Sequence, residues 1–393
     1  MALAGETQLP VARKHQQKVK FAIWCNMVQN GTGRFYQKTV NLPRIKQPPH
    51  AHQPETENKI TIKRKIMKHL KILFALLCAI VCYQSARAEE VVIDGIKYWL
   101  DDNNVATVVS NDYSGDIVIP ATVSYENVSY NVTALGDECF RDCSSLTSVT
   151  MPEGVTSLGT RCFYGCSSLT SVTIPESATS LGEWCFYGSS LTSVTIPESV
   201  TSLGDYCFYG CSSLTSVTIP ESVTTLGTSC FCNCPGLTNM QVAEGNSVYD
   251  SRDNCNAIIE TASNTMLAGC KNTVIPTTVT SLGDYCFSGC SSLTSVTIPE
   301  SVTSLSSWCF YGCSSLTKMQ VAEGNSVYDS RENCNAIIET ASNTMVAGCK
   351  NTVIPTTVTS LGIACFYGCS SLTSITIPES VTSLDRRCFS GCF

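Results

Sequence analysis

Aligned on itself, the chain repeats every 23 residues: Cys139, Cys162 and Cys185 are followed by a 22-residue step to Cys207 and then by Cys230. Steps of 56 residues lead from Cys230 to Cys286 and from Cys309 to Cys365, and steps of 23 lead on to Cys309 and Cys388. A period in the twenties is the mark of a solenoid, in which no coil can bury its own apolar faces and each is covered by its neighbours. In the unit from Leu169 to Ser190, the apolar positions are Leu169, Val172, Ile174, Ala178, Leu181, Cys185 and Phe186. Val172 and Ile174 alternate with Ser171 and Thr173, the period of a strand with one buried face. Pro175 has no N–H to continue a ladder and ends that strand. The next units offer a second short extended piece, as in Val-Thr-Ser-Leu from Val200 to Leu203. Gly204 then turns the chain, and Asp205 is placed to cap one helical turn over residues 206–210. The expected architecture is a parallel β-sheet of short strands, among them residues 171–174 and 295–298, with short helical turns and second short strands on the other sides.

The spacing L-x-x-V-x-I-P, trailed by L-G-x-x-C-F-x-x-C, resembles the BspA-like class of leucine-rich repeats found on bacterial and some protist surfaces. The core G-C-S-S-L-T-S-V-T-I-P stands at Gly210 to Pro220 and again at Gly289 to Pro299, and the likeness runs over residues 91–393. This chain departs from the pattern by carrying Cys before Phe where that class usually has Ala. Its lead-in, Y-S-G-D-I-V-I-P at Tyr113 to Pro120 and Y-N-V-T-A-L-G-D at Tyr130 to Asp137, resembles the amino-terminal coils of the class. Residues 89–138 are accordingly expected to cap a leucine-rich repeat solenoid spanning residues 139–393.

Within the 56-residue steps, Met240 to Cys286 recurs almost verbatim at Met319 to Cys365, which points to duplication of a compound module. Two longer units are thus expected at residues 240–285 and 319–364. Each holds a predicted hairpin, in the first copy Cys255 to Cys270 around an Ala-Ser-Asn turn, and the hairpins are expected to elaborate the solenoid edge.

From Met67 the sequence reads as an export signal: a basic start, an apolar run from Ile72 to Tyr83, and small residues at Ala86 and Ala88 ahead of Glu89. A spanning helix needs about 20 apolar residues, so residues 67–88 are read as a cleaved signal peptide and the mature chain as lacking a transmembrane span. Residues 1–66 then lie upstream of the functional start, as a non-native or disordered extension; the rival reading is a cytosolic tail on an anchored protein. The sequence stops at Cys392 and Phe393 inside a repeat, as expected of a truncated product or of a last coil covered by a partner. Oligomeric state is left open.

Residues 89–393 carry 10 Lys/Arg against 29 Asp/Glu and no histidine, since His15, His50, His52 and His69 all precede residue 70. A polyanion without a basic patch has no electrostatic reason to bind nucleic acid. The 22 cysteines after residue 88 fall mostly in two columns four residues apart, as at Cys207 and Cys211. A metal array would use thiolates at tetrahedral spacing, and bridges within C-x-x-x-C strain disulfide geometry. The favoured reading is buried thiols acting as small apolar side chains. Cys255 with Cys270, and Cys334 with Cys349, flank the hairpins and are candidates for disulfides in an exported protein.

No nucleophile–histidine pair, phosphate loop or metalloprotease helix occurs. The column Glu153, Glu176, Glu198, Glu221, Glu300 and Glu379 invites a glycosidase reading, but a repeated column reads first as solvated periphery. No enzyme activity and no cofactor are expected. Binding is the remaining possibility. The residue before each Cys-Phe pair varies among Glu138, Arg161, Trp184, Tyr206, Ser229, Tyr285, Trp308, Ala364 and Arg387, and Tyr164, Tyr187, Tyr209, Tyr311 and Tyr367 follow a Phe. Trp184, Tyr187, Tyr206, Tyr209, Tyr285, Trp308 and Tyr311 are therefore the candidate ligand-binding residues, or else aromatic spacers between turns. With the family resemblance, they imply adhesion to an extracellular host or cell-surface protein or glycan. The alternative is an envelope spacer without a dedicated ligand.

Overall fold

The computed structural model describes residues 65–71 and 89–392, and the chain divides into two units, Met1–Ile72 and Leu73–Phe393. In the first, residues 65–71 are helical and exposed. Most of the proposed signal segment lies outside the described residues. Among those described, no helix is long and apolar enough to cross a membrane.

The second unit is a β-solenoid of leucine-rich repeats. Its longest ladder runs along the short Ser-Leu pieces: Ala134–Leu135 pairs in parallel with Ser157–Leu158, then Ser180–Leu181, Ser202–Leu203 and Thr225–Leu226. The Val-x-Ile side forms only two-stranded ladders, Gly115–Val118 with Leu146–Thr150, Ser216–Ile219 with Asn239–Val242, and Ser295–Ile298 with Lys318–Val321. The single parallel sheet expected on this side is therefore not formed, and residues 171–174 are not a strand. The gap coincides with the 22-residue step. One residue is missing between Gly188 and Leu191, and regular pairing lapses in the coils on both sides of that deletion.

The third side is built of turns rather than the expected helical turns. Tyr206 is left-handed, at φ 56°, and Asp205 Oδ1 accepts the Thr228 N–H of the next coil (2.7 Å) instead of capping its own turn. Here successive coils bond directly: Trp184 N–H to Asp205 O, Phe186 N–H to Cys207 O and Gly188 N–H to Tyr209 O, each at 2.8 Å. Beneath them the phenylalanines stack face to face. Phe140, Phe163, Phe186, Phe208 and Phe231 lie 5.1–5.4 Å apart with rings within 9° of parallel.

At the amino-terminal end, Glu89–Ile93, Ile96–Leu100 and Val105–Val108 form an antiparallel meander whose last strand runs parallel to Val128–Leu135. Tyr98 is fully buried under it, and Tyr113 covers Phe140 at 4.7 Å.

The hairpins pair Ala257–Glu260 with Thr265–Gly269, and Ala336–Glu339 with Thr344–Gly348. They do not decorate an edge. Ala257, Ile258, Ile259 and Met266 are fully buried, and Met266 continues the leucine ladder onto Leu282. Ile258 packs into the apolar cluster of the preceding coils and Ile259 into that of the following ones, with Ile337 and Ile338 divided the same way. A strand buried on both faces needs an unbroken apolar run, which is what Ala-Ile-Ile supplies. Each hairpin is a wall, and the core is three compartments rather than one. Arg252 holds the first wall by pairing with Asp250 and bonding Asn264 Oδ1 (2.8 Å); Arg331, Asp329 and Asn343 repeat the arrangement.

Candidate functional site: an aromatic strip on the turn side

The turn side gathers the aromatic columns. Phe186 points into the core and Tyr187 after it is half-exposed, as are Tyr164, Tyr209, Tyr311 and Tyr367 after their phenylalanines, whereas Cys232 and Ser288 in the same position are buried. The variable residue before Cys-Phe is left-handed in eight of nine coils, at φ 54–59° from Glu138 and Arg161 through Trp184, Tyr206, Ser229 and Tyr285 to Ala364 and Arg387. Trp308 is the exception. Its coil has Ser306 at the position of Gly204, and the Trp308 N–H meets Ser306 Oγ at 3.5 Å. A left-handed bulky residue costs backbone energy that Gly or Asn would avoid.

All seven candidate residues are half-exposed and lie on this side. Trp184 stacks on Tyr206 (4.1 Å, 16°), and Tyr164, Tyr187 and Tyr209 form a second file at 4.5 and 5.1 Å. Trp184 to Tyr187 (5.3 Å) and Tyr206 to Tyr209 (5.8 Å) tie the two files together. Further along, Tyr285 lies 6.3 Å from Trp308, and Tyr311 stacks on Tyr367 at 4.3 Å. The Tyr311 hydroxyl is pushed up to about 12, first by its hydrogen bond to Tyr367, then by burial and by the neighbouring phenols of Tyr367, Tyr209 and Tyr285. Between the two groups, across the first hairpin module, the coils bond directly through Asn233 N–H to Ser288 O (2.9 Å). The strip has nine rings. Tyr164 and Tyr367 belong to it beside the seven candidates, and an arginine lies over a ring at each end, Arg141 on Tyr164 (5.6 Å) and Arg387 on Trp308 (5.8 Å). Both arginines occupy the aromatic columns, which is the signal in the sequence that marks them.

The other candidates sit elsewhere. The Glu153-to-Glu379 column is exposed on the coil corners, with Glu153 Oε2 accepting the Glu176 N–H (3.2 Å). On the Ser/Thr faces, hydroxyls bond along the stack: Thr179 Oγ1 donates to Thr156 O (3.2 Å) and Thr215 Oγ1 to Thr192 O (3.2 Å).

The cysteines among the described residues are free thiols. In the second column Sγ donates to the Phe carbonyl of the preceding coil where there is one, as Cys166 does to Phe140 O (3.0 Å), Cys211 to Phe186 O (3.2 Å) and Cys313 to Phe287 O (3.1 Å), while after the hairpins Cys290 and Cys369 donate to Gly269 O and Gly348 O. These thiols are therefore hydrogen-bond donors as well as apolar filler. Burial pushes Cys211 and Cys232 up to about 12. The proposed hairpin disulfides are not formed. Cys255 and Cys270 face opposite compartments of the core, as do Cys334 and Cys349, and Cys270 Sγ is bonded to Asn256 O (3.3 Å). Among the described residues no group of three or more His, Cys, Asp or Glu is arranged to hold a metal.

Fold and strip define a leucine-rich repeat scaffold with one aromatic side. The BspA type leucine-rich repeat region matches it in six copies, over residues 133–257 and 260–392. The chain belongs to that family. Among solved structures, a leucine-rich cell surface protein from Faecalibacterium prausnitzii is 26% identical, with a TM-score of 0.51 over 78% of this chain and 93% of that one. The pneumococcal vaccine antigen PcpA shares the fold at 16% identity and a TM-score of 0.50, over 76% of this chain and 78% of the other. Comparison with curated proteins finds no match.

Proposed function

We propose that this is an exported cell-surface protein, without catalytic activity, that adheres to an extracellular protein through the aromatic strip. The observation that carries the reading is Trp184, Tyr206 and Tyr285, half-exposed rings at strained left-handed positions, where Gly or Asn would suit the backbone better and where side-chain function is the reason to keep a ring. Display outside the cell is supported by the signal pattern over residues 67–88, by the family, and by the cell-surface description of the F. prausnitzii relative. A protein partner fits better than a glycan. Sugars stack on open ring faces, and here neighbouring rings occupy those faces, leaving edges and hydroxyls of the kind enriched in protein hot spots.

The test is a binding survey against immobilised extracellular-matrix proteins and a glycan array, with Trp184→Ala and Trp308→Ala measured in parallel by titration and by melting. Each substitution is expected to weaken protein binding by about 1–2 kcal/mol while the fold persists. Full-strength binding by the folded double variant would remove the strip from the site. A lowered melting temperature with binding unaltered would make the rings spacers, and saturable binding only to sugars would reverse the choice of partner.

A further inference from the structure

Two tyrosine pairs in the strip are closer than the stacking of coils requires. Tyr311 and Tyr367 lie 4.3 Å apart at 27°, and Tyr164 and Tyr187 lie 4.5 Å apart at 5°, against 5.1 Å for Tyr187 and Tyr209 and 5.1–5.4 Å for the five-membered phenylalanine column. The backbone fixes the partners. Gly165 N–H bonds Tyr187 O (2.8 Å) and Gly312 N–H bonds Tyr367 O (3.2 Å), and all four rings are half-exposed to reagents.

We propose that Tyr311–Tyr367 and Tyr164–Tyr187 are sites of intramolecular dityrosine cross-linking by hydrogen peroxide acting through a haem peroxidase. Each phenol gives up one electron and its hydroxyl proton, leaving a radical shared between the oxygen and the two ortho carbons. The two radicals form a carbon–carbon bond between ortho positions, and the ortho protons then move to oxygen and restore both phenols. One peroxide takes up the two electrons and two protons and leaves as two waters. The products are covalent staples between coils, one of which spans the second hairpin module and joins residues that are distant in sequence. The pairing rests on ring geometry and stands whether or not the strip binds a partner.

Horseradish peroxidase with limiting hydrogen peroxide, applied to the purified protein, tests this by dityrosine fluorescence, gel mobility and mass spectrometry of the digest. The expected product is a monomer yielding two linked peptide pairs, each lighter than its parts by two hydrogens. Tyr367→Phe keeps the ring stack and should abolish the Tyr311 link alone; Tyr164→Phe should abolish the Tyr187 link alone. The same treatment in denaturant should lose this selectivity. No dityrosine in the folded monomer, links confined to dimers, or links scattered over other tyrosines would overturn the proposal, as would undiminished fluorescence in the double variant.

Discussion

The regular coils from Cys139 to Cys234 and the two hairpin modules solve the same packing problem differently. In the regular coils one phenylalanine column, one leucine ladder and the first thiol column run without a break, Ser189 interrupts the second thiol column, and every coil is covered by a near copy of itself. At a hairpin the column stops and restarts, as Phe287–Phe310 and again as Phe366–Phe389. Gly269 takes the place that a ring of the preceding coil would hold. Its N–H bonds Cys286 O (2.8 Å), and a Cβ there would strike the Phe287 ring. A repeat interrupted on its core side while its turn side stays continuous separates stability, which is compartmental, from the surface, which is one strip.

The strongest test of that division is in the long column. Phe186→Ala leaves a cavity between Phe163 and Phe208 and is expected to cost about 3–5 kcal/mol in urea unfolding. Phe389, half-exposed beside Phe366 alone, should cost distinctly less as Ala. Equal losses would mean that coil position is irrelevant and that the column does not act as a unit.

Overpacking the wall comes next. Gly269→Ala forces a methyl into the Phe287 ring and is expected to cost about 1–3 kcal/mol, with Gly348→Ala against Phe366 doing the same in the second copy. Hydrogen exchange should show protection lost first around the affected hairpin while residues 139–208 keep theirs. Uniform loss along the chain would restore a single core.

The thiol columns give a smaller effect. Cys207→Ala with Cys211→Ala removes two buried sulfurs and the bond from Cys211 to Phe186 O, an expected cost of about 1–2 kcal/mol. Metal content should not change. Stoichiometric zinc in the native protein, lost in this variant, would defeat the reading of the columns as structural.

Much of this was legible in the sequence because repetition averages over local noise: the Leu181, Cys185 and Phe186 columns announce the coil before any single propensity does. The strand side was misplaced because Val172 and Ile174 look more like a strand than Ser202 and Leu203, yet a ladder needs paired neighbours, and residues 171–174 pair with neither adjacent coil. The Ala-Ile-Ile run at Ala257 could not be told from an edge strand by pattern alone, since burial on both faces is a property of what flanks it. Of the strip, the aromatic columns were visible and their strain was not. Nothing in the composition of Trp184 or Tyr206 indicates a positive φ, and the arginines over Tyr164 and Trp308 emerge only when the columns are read as neighbours.

That strain provides the finest comparison, because the two tryptophans differ in it. Trp184 is left-handed at φ 57° and Trp308 is not. At an ordinary position Gly is less stable than Ala by about 0.5–1 kcal/mol, through the greater freedom of the unfolded chain. In a left-handed position the Cβ clash, about 1–2 kcal/mol, outweighs that difference. Since Gly and Ala both remove the ring, the loss of stacking cancels between them. Trp184→Gly is therefore expected to be more stable than Trp184→Ala by a few tenths to about 1 kcal/mol, and Trp308→Gly less stable than Trp308→Ala by about 0.5–1 kcal/mol. Urea midpoints for the four variants, compared at equal slope, decide it. If the order is the same at both sites, the left-handed column is not a feature of the folded protein, and strain no longer argues for function at Trp184.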